Sequence, residues 1–328
     1  MSAVDVALLR ALRASRGHSP GAEFATQLGI PLGAVKAHVA SLIEAGFEIE
    51  QHPGLGYRLL STPDRLIADD LFARLGACAL IREITVFAET DSTNDRAAQL
   101  GRGGVSPGVA IFAERQTAGR GRFGRHWDSA GSRGLWFSLF LRPEFRVEHW
   151  ARLTTWAATG IAAAIERETG LPVRIKWPND IFIGGRKIAG ILTETVFEAG
   201  VDPFAIVGIG VNVNHEPADF PSTLAARAGS LRMATGRRLD RAALAAAILR
   251  ELDARWPLLS RAFPDLVAEA QGRSELLGKW IQVQAGQTVV EGVAEGLDAE
   301  GQLFLRDASG LLRTLSAGEV SIVPSVRG

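Results

Sequence analysis

The stretch from Gln116 to Trp127 places three glycines and three arginines between two predicted strands. Glycine lets the backbone approach a ligand closely, and arginine offers a planar fork of donors to carboxylate or phosphate. Gly119, Gly121 and Gly124 also have the spacing of the dinucleotide-binding fingerprint, which requires a helix that opens inside the motif. Turn residues lead directly into the second strand instead, so we reject a Rossmann fold. The stretch predicts either a loop that closes over an anion or a solvated basic loop.

The overall composition limits the partners of the chain. With 36 basic and 36 acidic side chains in 328 residues, no net charge attracts nucleic acid or membranes, so any basic site has to be local. The single cysteine, Cys78, excludes an intramolecular disulfide and a cysteine-ligated zinc cluster. The sequence has no signal peptide and no apolar run of about 18 residues that could span a membrane. We therefore expect a cytoplasmic protein.

Residues 1–64 predict an N-terminal winged helix-turn-helix domain. Apolar residues at helical spacing indicate three short helices, and alternating apolar residues around a Pro-Gly turn indicate a hairpin wing. Residues 1–60 hold five basic and five acidic side chains, which leaves little net charge for DNA phosphates. Lys36 in the second helix of the motif and Arg58 on the wing are the DNA-binding candidates. A purely structural or dimerising domain is the alternative.

The rest of the chain predicts two further domains. Residues 65–271 mix helices with strands joined by short turns, which is typical of an α+β domain with a mostly antiparallel sheet. Residues 241–263 are expected to form one continuous helix. Residues 272–328 alternate short strands with turns, which predicts a small C-terminal β-barrel.

Three more groups in the central domain combine polar residues with glycines. They are Lys176-Trp177-Pro178-Asn179-Asp180, Arg186-Lys187-Ile188-Ala189-Gly190 and Gly208-Ile209-Gly210-Val211-Asn212. Small residues on one strand face leave room for a ligand ring, and cations beside a carboxylate suit phosphoryl or adenylyl chemistry. Each group alone also fits a surface lysine, a capping aspartate or a tightly packed strand. Together with the Gly/Arg loop (residues 116–127) they favour a site for a phosphate-bearing substrate.

In this order, these motifs resemble those of bacterial biotin–protein ligases. With the winged helix in front, the chain resembles the bifunctional BirA-type class, which ligates biotin and represses the biotin operon. The resemblance covers almost the whole chain. It implies a class II synthetase-like (biotin/lipoyl ligase) α+β domain and an SH3-like C-terminal β-barrel. It also implies that biotin and ATP form biotinyl-5′-AMP and pyrophosphate, and that biotin then passes to a lysine of the biotin carboxyl carrier protein of acetyl-CoA carboxylase.

The resemblance implies a role for individual residues as well. Biotin would be bound by Ser92, Thr93, Asn94, Gln116, Arg120, Gly121, Arg122, Lys187, Gly208 and Gly210. ATP would be bound by Arg120, Arg122, Trp127, Lys176, Asn179, Asp180 and Asn212. Arg122, Lys176 and Lys187 would be catalytic, and Asp180 would hold Mg²⁺. The family further implies a homodimer in the adenylate-bound state that binds biotin operator DNA.

Other functions stay open at this point. One alternative is a monofunctional ligase whose helix-turn-helix is only structural, and another is a biotin-sensing transcription factor without catalysis. A lipoate ligase has a related fold, but the Gly/Arg loop and the N-terminal domain favour biotin. The recognition helix begins Pro31-Leu32-Gly33, which is poorer in polar and basic groups than a typical DNA reader. This departure concerns operator binding more than ligation.

Overall fold

The computed structural model describes residues 3–129 and 131–323, with side chains from residue 5 onward. The outer ends of the predicted first and last domains, residues 1 and 328, therefore lie outside the described residues. The described chain forms sheets of two, seven and five strands in chain order. None of the helices in these ranges combines the length and apolar character that crossing a membrane requires.

The N-terminal part has the predicted winged helix-turn-helix order. Its elements are α1 (Ala3–Ala14), α2 (Gly21–Leu28), α3 (Leu32–Glu44), β1 (Glu48–His52) and β2 (Gly56–Ser61). Gly29 ends α2 in the left-handed conformation, with a φ of 64° that favours glycine. The strands β1 and β2 pair antiparallel as the wing. Phe24, Val35 and Phe47 are buried in one shared cluster, which confirms the predicted apolar faces.

The central part alternates helices and strands. Its elements are α4 (Ala68–Leu75), β3 (Glu83–Thr90), α5 (Thr93–Arg102), β4 (Val109–Gln116), β5 (Leu135–Leu141), α6 (Arg152–Thr169), β6 (Arg174–Lys176), β7 (Asp180–Ile183), β8 (Arg186–Val196), β9 (Phe204–Val211), α7 (Leu231–Thr235), α8 (Arg241–Arg255), α9 (Leu258–Arg261) and α10 (Phe263–Gly272). The strand order is β3-β4-β5-β9-β8-β7-β6, and only β3 and β4 run parallel. The predicted α+β domain with a mostly antiparallel sheet is confirmed.

Helices cover both faces of this sheet. β5 is buried along its whole length, and its side chains alternate between the two faces. Leu139 and Leu141 belong to the larger cluster with Trp156 of α6, whereas Phe140 packs with Ala97 of α5. The sheet therefore separates α5 on one side from α6 and α8 on the other.

The helix predicted over 241–263 is divided in the structure. α8 ends at Arg255, the short α9 follows Pro257, and α10 begins at Phe263 and continues to Gly272. Proline lacks a backbone N–H and cannot continue a helix from the preceding turn without losing a hydrogen bond. Pro257 falls inside an otherwise helical pattern, so the prediction of a single helix was wrong and three helices are found.

The C-terminal part is an antiparallel sheet of short strands. Its elements are β10 (Trp280–Ala285), β11 (Thr288–Leu297), β12 (Leu303–Arg306), β13 (Leu312–Leu315) and β14 (Glu319–Ile322), in the order β13-β12-β11-β10-β14. Within the described residues no ladder joins the edge strands β13 and β14, so the sheet is open where a closed barrel was expected. Its inner face packs against Trp177 of the central domain, whose Nε1 donates to the Gly301 carbonyl at 3.0 Å. The inner face of this open sheet therefore packs on the central domain.

Candidate active site

One cavity of about 610 Å³ gathers the polar motifs of the central domain. Its wall includes every residue that the sequence proposes for biotin or ATP, which are Ser92, Thr93, Asn94, Gln116, Arg120, Gly121, Arg122, Trp127, Lys176, Asn179, Asp180, Lys187, Gly208, Gly210 and Asn212. The strand order explains the convergence, because β8 and β9 lie between β5 and the β6–β7 turn. These residues share one cavity, and the role of each toward a ligand stays a prediction.

The start of α5 forms one polar wall of the cavity. β3 and β4 run parallel with Thr90 opposite Gln116, so the residues that follow β3 lie beside the end of β4. The backbone N–H and Oγ1 of Thr93 both donate to Gln116 Oε1, at 2.8 and 3.1 Å. Gln116 Nε2 donates to Ser129 Oγ at 2.9 Å. These hydrogen bonds hold the wall in one arrangement.

The glycines of β9 admit side chains against the strand backbone. A Cβ at position 208 would lie 2.2 Å from Asn94 Oδ1, and one at position 210 would lie 2.6 Å from Trp127 Nε1. We expected these glycines to leave room for a ligand ring. The structure instead shows Asn94 and the Trp127 indole against them. The glycines therefore shape the site indirectly, because they allow Asn94 and Trp127 to pack against the backbone of β9.

Ser138 is a buried hydroxyl of the site that the motifs did not indicate. It lies on β5 opposite Gly208, and its Oγ is 2.7 Å from Thr93 Oγ1 and 2.5 Å from Asn94 Oδ1. Asn94 Nδ2 donates in turn to Glu194 Oε2 at 2.6 Å. Ser138 thus fixes the two side chains at the start of α5. Its signal in the sequence is a lone hydroxyl within Leu135–Leu141.

The Gly/Arg loop folds back on itself as a tight turn. Trp127 N–H donates to the Gly119 carbonyl at 2.9 Å, and Gly121 N–H donates to the Arg125 carbonyl at 2.7 Å. A Cβ at position 119 would lie 2.5 Å from the Trp127 carbonyl oxygen, so this pairing requires glycine. Phe123 at the tip has a φ of 58° and a side chain exposed to 64%. The loop is therefore ordered by its own backbone and carries an exposed aromatic tip.

The arginines of the loop are bound to three different parts of the protein. Arg120 makes two hydrogen bonds to Asp95 of α5, at 2.6 and 2.7 Å, and these raise the pKa of Arg120. Arg122 Nη1 donates to Asn179 Oδ1 at 3.1 Å, while burial lowers the pKa of Arg122.

Arg125 bonds to Glu319 on β14, and this hydrogen bond lowers the pKa of Glu319. Arg122 Nη1 also donates to the Gly318 carbonyl at 3.3 Å. The loop is therefore joined to the C-terminal sheet as well as to the central domain.

Two lysines and one aspartate face each other across the β6–β7 turn. Lys187 Nζ lies 2.6 Å from Asp180 Oδ1 and 5.2 Å from the centre of the Trp127 ring. Burial lowers the pKa of Lys176, against the opposing field of Asp180. Asn179 holds the turn to β8 through Nδ2, which donates to the Ile191 carbonyl at 2.9 Å. The corner concentrates positive charge that one carboxylate balances only in part.

The segment from 215 to 230 closes the remaining side of the cavity. Asn212 Nδ2 donates to the Gly229 carbonyl at 3.0 Å, and Lys187 N–H donates to the Arg227 carbonyl at 2.8 Å. Phe220 and Leu224 add apolar surface to the wall. Sequence reasoning missed this segment, because it carries no periodic pattern and no motif.

Family models match three segments of the chain. Residues 86–214 match the Biotin/lipoate A/B protein ligase family, residues 276–323 the Biotin protein ligase C terminal domain, and residues 7–58 an HTH domain. The bifunctional ligase/repressor BirA of Bacillus subtilis is 33% identical over 298 residues, which cover 90% of this chain and 92% of that protein. The chain belongs to the BirA family of biotin protein ligases.

Two further relatives carry ligase names. A biotin–acetyl-CoA-carboxylase ligase of Mycobacterium tuberculosis is 34% identical over 264 residues, which cover 78% of this chain and 94% of that protein. Among solved structures, the biotin protein ligase from Aquifex aeolicus in complex with biotin and ATP is 30% identical. It matches with a TM-score of 0.65 and covers 75% of this chain and 100% of that chain. The central fold is therefore that of a biotin protein ligase.

The two DNA-binding candidates lie away from the cavity, on the winged helix of this family member. Lys36 on α3 and Arg58 on β2 are both exposed. Within the described residues neither side chain forms a hydrogen bond or an ion pair, so both remain available to phosphates.

Proposed function

We propose that this chain uses ATP to join biotin to a lysine of a carrier protein. We further propose that the intermediate of this reaction, biotinyl-5′-AMP, controls DNA binding. The first step forms biotinyl-5′-AMP and pyrophosphate, and in the second the carrier lysine displaces AMP. The observation that carries the proposal is the single cavity of about 610 Å³ on which all the expected ligand-binding residues lie. This volume is within the range of small-molecule sites, roughly 300–1,000 Å³. The names of the relatives support the same chemistry.

Buried hydroxyl and amide groups at the start of α5 suit the ureido ring of biotin. Ser92, Thr93 and Asn94 are only 3%, 3% and 4% exposed. A ureido group has two N–H donors and a carbonyl acceptor, and hydroxyl and amide side chains match both. The full biotin-binding set in this proposal is Ser92, Thr93, Asn94, Gln116, Arg120, Gly121, Arg122, Lys187, Gly208 and Gly210.

The opposite end of the cavity suits the nucleotide. The half-buried Lys176 lacks a full counter-charge, and a triphosphate would supply one. Trp127 lines the cavity with its indole, and Lys187 Nζ lies 5.2 Å from the centre of its ring. The full ATP-binding set in this proposal is Arg120, Arg122, Trp127, Lys176, Asn179, Asp180 and Asn212.

The cavity also fits Mg²⁺ that arrives with ATP. Within the described residues no group of three or more His, Cys, Asp or Glu side chains could hold a metal by itself. Mg²⁺ usually binds through one or two carboxylates plus phosphate oxygens and retains several waters, so Asp180 and a triphosphate suffice. When bound, the ion neutralises charge on the phosphates. Lys187, which now pairs with Asp180, would then turn to the substrates.

Catalysis in this proposal consists of positioning and charge neutralisation. The biotin carboxylate and the α-phosphate repel each other, and Lys187 and Arg122 offset that repulsion while a carboxylate oxygen attacks phosphorus in line. Pyrophosphate leaves with its electron pair. The Gly/Arg loop then shields the mixed anhydride from water. Finally, the neutral amine of the carrier lysine attacks the acyl carbon and expels AMP.

The regulatory half of the proposal assigns a role to each domain. Residues 1–64 bind operator DNA through Lys36 and Arg58, residues 65–271 bind biotin and ATP, and residues 272–328 close the cavity. A homodimer matches a palindromic operator, because its two-fold axis aligns with that of the DNA. Adenylate promotes this dimer if it binds the dimer-competent state more tightly.

Incubation of the protein with ATP, Mg²⁺, biotin and an apo biotin carboxyl carrier domain tests the enzymatic half, with a streptavidin blot as the readout. We expect labelling of the carrier that requires ATP and stops when EDTA removes Mg²⁺. Mass spectrometry of a lipoyl carrier domain incubated with lipoate in place of biotin identifies a lipoate ligase. A folded protein that leaves the biotin carrier unlabelled would overturn the ligase assignment.

A further inference from the structure

A second cleft, of about 310 Å³, lies at the junction of the winged helix and the central domain. The helices α1, α4 and α8 meet there, and the end of α6 completes the wall. Four arginines line the cleft, which are Arg10 and Arg13 of α1, Arg74 of α4 and Arg250 of α8. The acidic side chain in the lining is Glu168. The volume of the cleft is at the lower end of the range for small-molecule sites, roughly 300–1,000 Å³.

The carboxylates beside the cleft are shared among its arginines. Asp70 is 3% exposed, accepts from Arg74 Nε at 2.8 Å, and contacts Arg13 Nη2 with its other oxygen. Asp240 lies 2.9 Å from Arg74 Nη2. Arg13 Nη1 is buried and has no acceptor among the described residues, and burial lowers the pKa of Arg13. Asp70 therefore neutralises Arg13 and Arg74 only in part, because the two arginines share its carboxylate.

The other two arginines are oriented by backbone carbonyls instead of carboxylates. Arg10 Nη2 donates to the Phe72 carbonyl at 3.2 Å, and Arg250 Nη1 donates to the Arg74 carbonyl at 2.6 Å. Both side chains belong to exposed residues. A carbonyl fixes the direction of a guanidinium without cancelling its charge. The cleft therefore keeps an excess of positive charge that faces one open space.

We propose that this cleft binds a small phosphate-bearing anion between the winged helix and the central domain. Guanidinium groups from three helices approach from different directions, and a phosphate offers more oxygens and more charge to them than a carboxylate does. Arg13 and Arg74, which share Asp70, contribute the other two guanidinium groups of the wall. Arg10 and Arg250 close over the anion from opposite sides of the domain boundary.

Such an anion would join the two domains without touching the active-site cavity. It contacts α1 of the winged helix together with α4 and α8 of the central domain, so it stabilises the domain arrangement that presents all four arginines. A ligand that binds only this arrangement raises the unfolding temperature by an amount that grows with the logarithm of its concentration above Kd. This effect does not require the proposed ligase activity, and it offers the cell's phosphate-bearing metabolites a route to the DNA-binding domain.

Thermal unfolding of the full chain tests the proposal, with inorganic phosphate replacing chloride at constant ionic strength and without biotin or ATP. We expect phosphate to raise Tm by about 5 °C at a hundredfold excess over Kd. The double variant Arg10→Gln/Arg250→Gln should lose more than half of this rise. Arg146→Gln, which changes an exposed arginine on the central domain, should keep all of it. The phosphate-dependent rise is compared, because Arg10 also bonds to the end of α4 and its loss can lower Tm directly.

The active-site cavity also has cationic side chains that could bind phosphate. Lys176→Gln removes one of them and therefore serves as a control for binding in that cavity. Phosphate should raise Tm in Lys176→Gln as much as in the parent chain. A rise in Arg10→Gln/Arg250→Gln that keeps more than half of the parent value, or a rise that disappears in Lys176→Gln, would overturn the proposal. A rise that duplex DNA causes and inorganic phosphate does not would also overturn it, because the cleft would then contact the DNA backbone.

Discussion

The cavity of the central domain and the surface of the winged helix use their cations in opposite ways. In the cavity, Lys187 is paired with Asp180, and Arg122 is hydrogen-bonded to Asn179. On the winged helix, Lys36 and Arg58 are exposed, and neither has a polar partner in the part of the chain that the structure describes. The cavity is therefore preorganised by protein contacts, whereas the two proposed DNA contacts are free cations.

This contrast has an energetic consequence for ligand binding. A preorganised cation loses little conformational entropy when a ligand binds, but it has to exchange its protein partner for the ligand. A free surface cation exchanges only counterions, so its contribution weakens as salt rises. Substitutions in the cavity should therefore change catalysis strongly, and substitutions on the winged helix should change salt dependence with small effects on affinity.

The largest effect is expected at Arg241, which joins the linker after the wing to the central domain. Its side chain is 1% exposed and bonds to Glu114 Oε2 at 2.7 Å and to Asp64 Oδ1 at 3.2 Å. Asp64 lies between the wing and the central sheet. Arg241→Gln leaves Glu114 nearly buried without its cation, which should lower the free energy of unfolding by about 3–5 kcal/mol. Urea unfolding measures this, with the exposed Arg146→Gln as a control that stays near the parent value.

A loss below about 1 kcal/mol at Arg241 would show that this ion pair behaves like an exposed one. The link between the linker and the central domain would then rest on packing alone.

Lys187→Ala should give the next largest effect, on adenylation. The variant removes a charge from the reacting centre and leaves Asp180 without its partner. By analogy with the loss of one oxyanion donor, the loss is about 2.7–4 kcal/mol, which is about 10²–10³-fold in kcat. Pyrophosphate release measures it, and Lys279→Ala, which breaks only an exposed pair with Glu275, is the matched control. Near-normal turnover would mean that Lys187 only stabilises the turn.

Local signals explain why parts of this comparison could be predicted from the sequence. The wing follows from two-residue alternation around a turn, and the strand at 204–211 from a short apolar run, and both signals act over a few positions. Residue types alone grouped the motifs with Lys176, Lys187 and Gly208 into one phosphate-binding site, and the resemblance to a family added the expected role of each residue. Their convergence depends on the order of strands in the sheet, which no local pattern encodes.

The missed features depend on contacts between distant residues. Ser138 becomes important because β5 pairs with β9 and faces α5, and the segment at 215–230 because it closes over Lys187. The short helix α4 at Ala68–Leu75 was not anticipated, since it is stabilised mainly by packing on α1 and α8. The packing of the C-terminal sheet against Trp177 likewise joins residues that are distant in sequence.

Ser138→Ala should give an intermediate effect, confined to biotin. It removes the hydroxyl that holds Thr93 and Asn94, and leaving buried groups unsatisfied costs about 1–3 kcal/mol. We expect KM for biotin to rise about 5- to 150-fold, the same free energy expressed as a ratio, with KM for ATP nearly unchanged. Thr159→Ala removes an equally buried hydroxyl of α6 and is the control. Equal changes in both KM values would contradict a specific role at the biotin end.

The smallest effect is expected on the winged helix. Lys36→Ala and Arg58→Ala should each reduce the slope of log K against log salt by about 0.9, if each side chain neutralises one DNA phosphate. Fluorescence anisotropy with operator duplex at several salt concentrations measures the slopes. Arg102→Ala, an exposed arginine of the central domain that pairs with Glu198, should leave the slope unchanged. Unchanged slopes in both Lys36→Ala and Arg58→Ala would assign DNA contact to other residues.

The central claim is that one chain combines a biotin ligase site with an adenylate-controlled DNA-binding domain. A gel shift on the promoter of its own biotin-synthesis genes tests this most directly, with no ligand, biotin alone, ATP alone, or biotin with ATP and Mg²⁺. The account predicts a specific shift only when both substrates are present, and the same shift when biotinyl-AMP is supplied directly. A protein that labels the carrier fully and shifts the DNA in none of these states would contradict the account and leave the winged helix a structural domain.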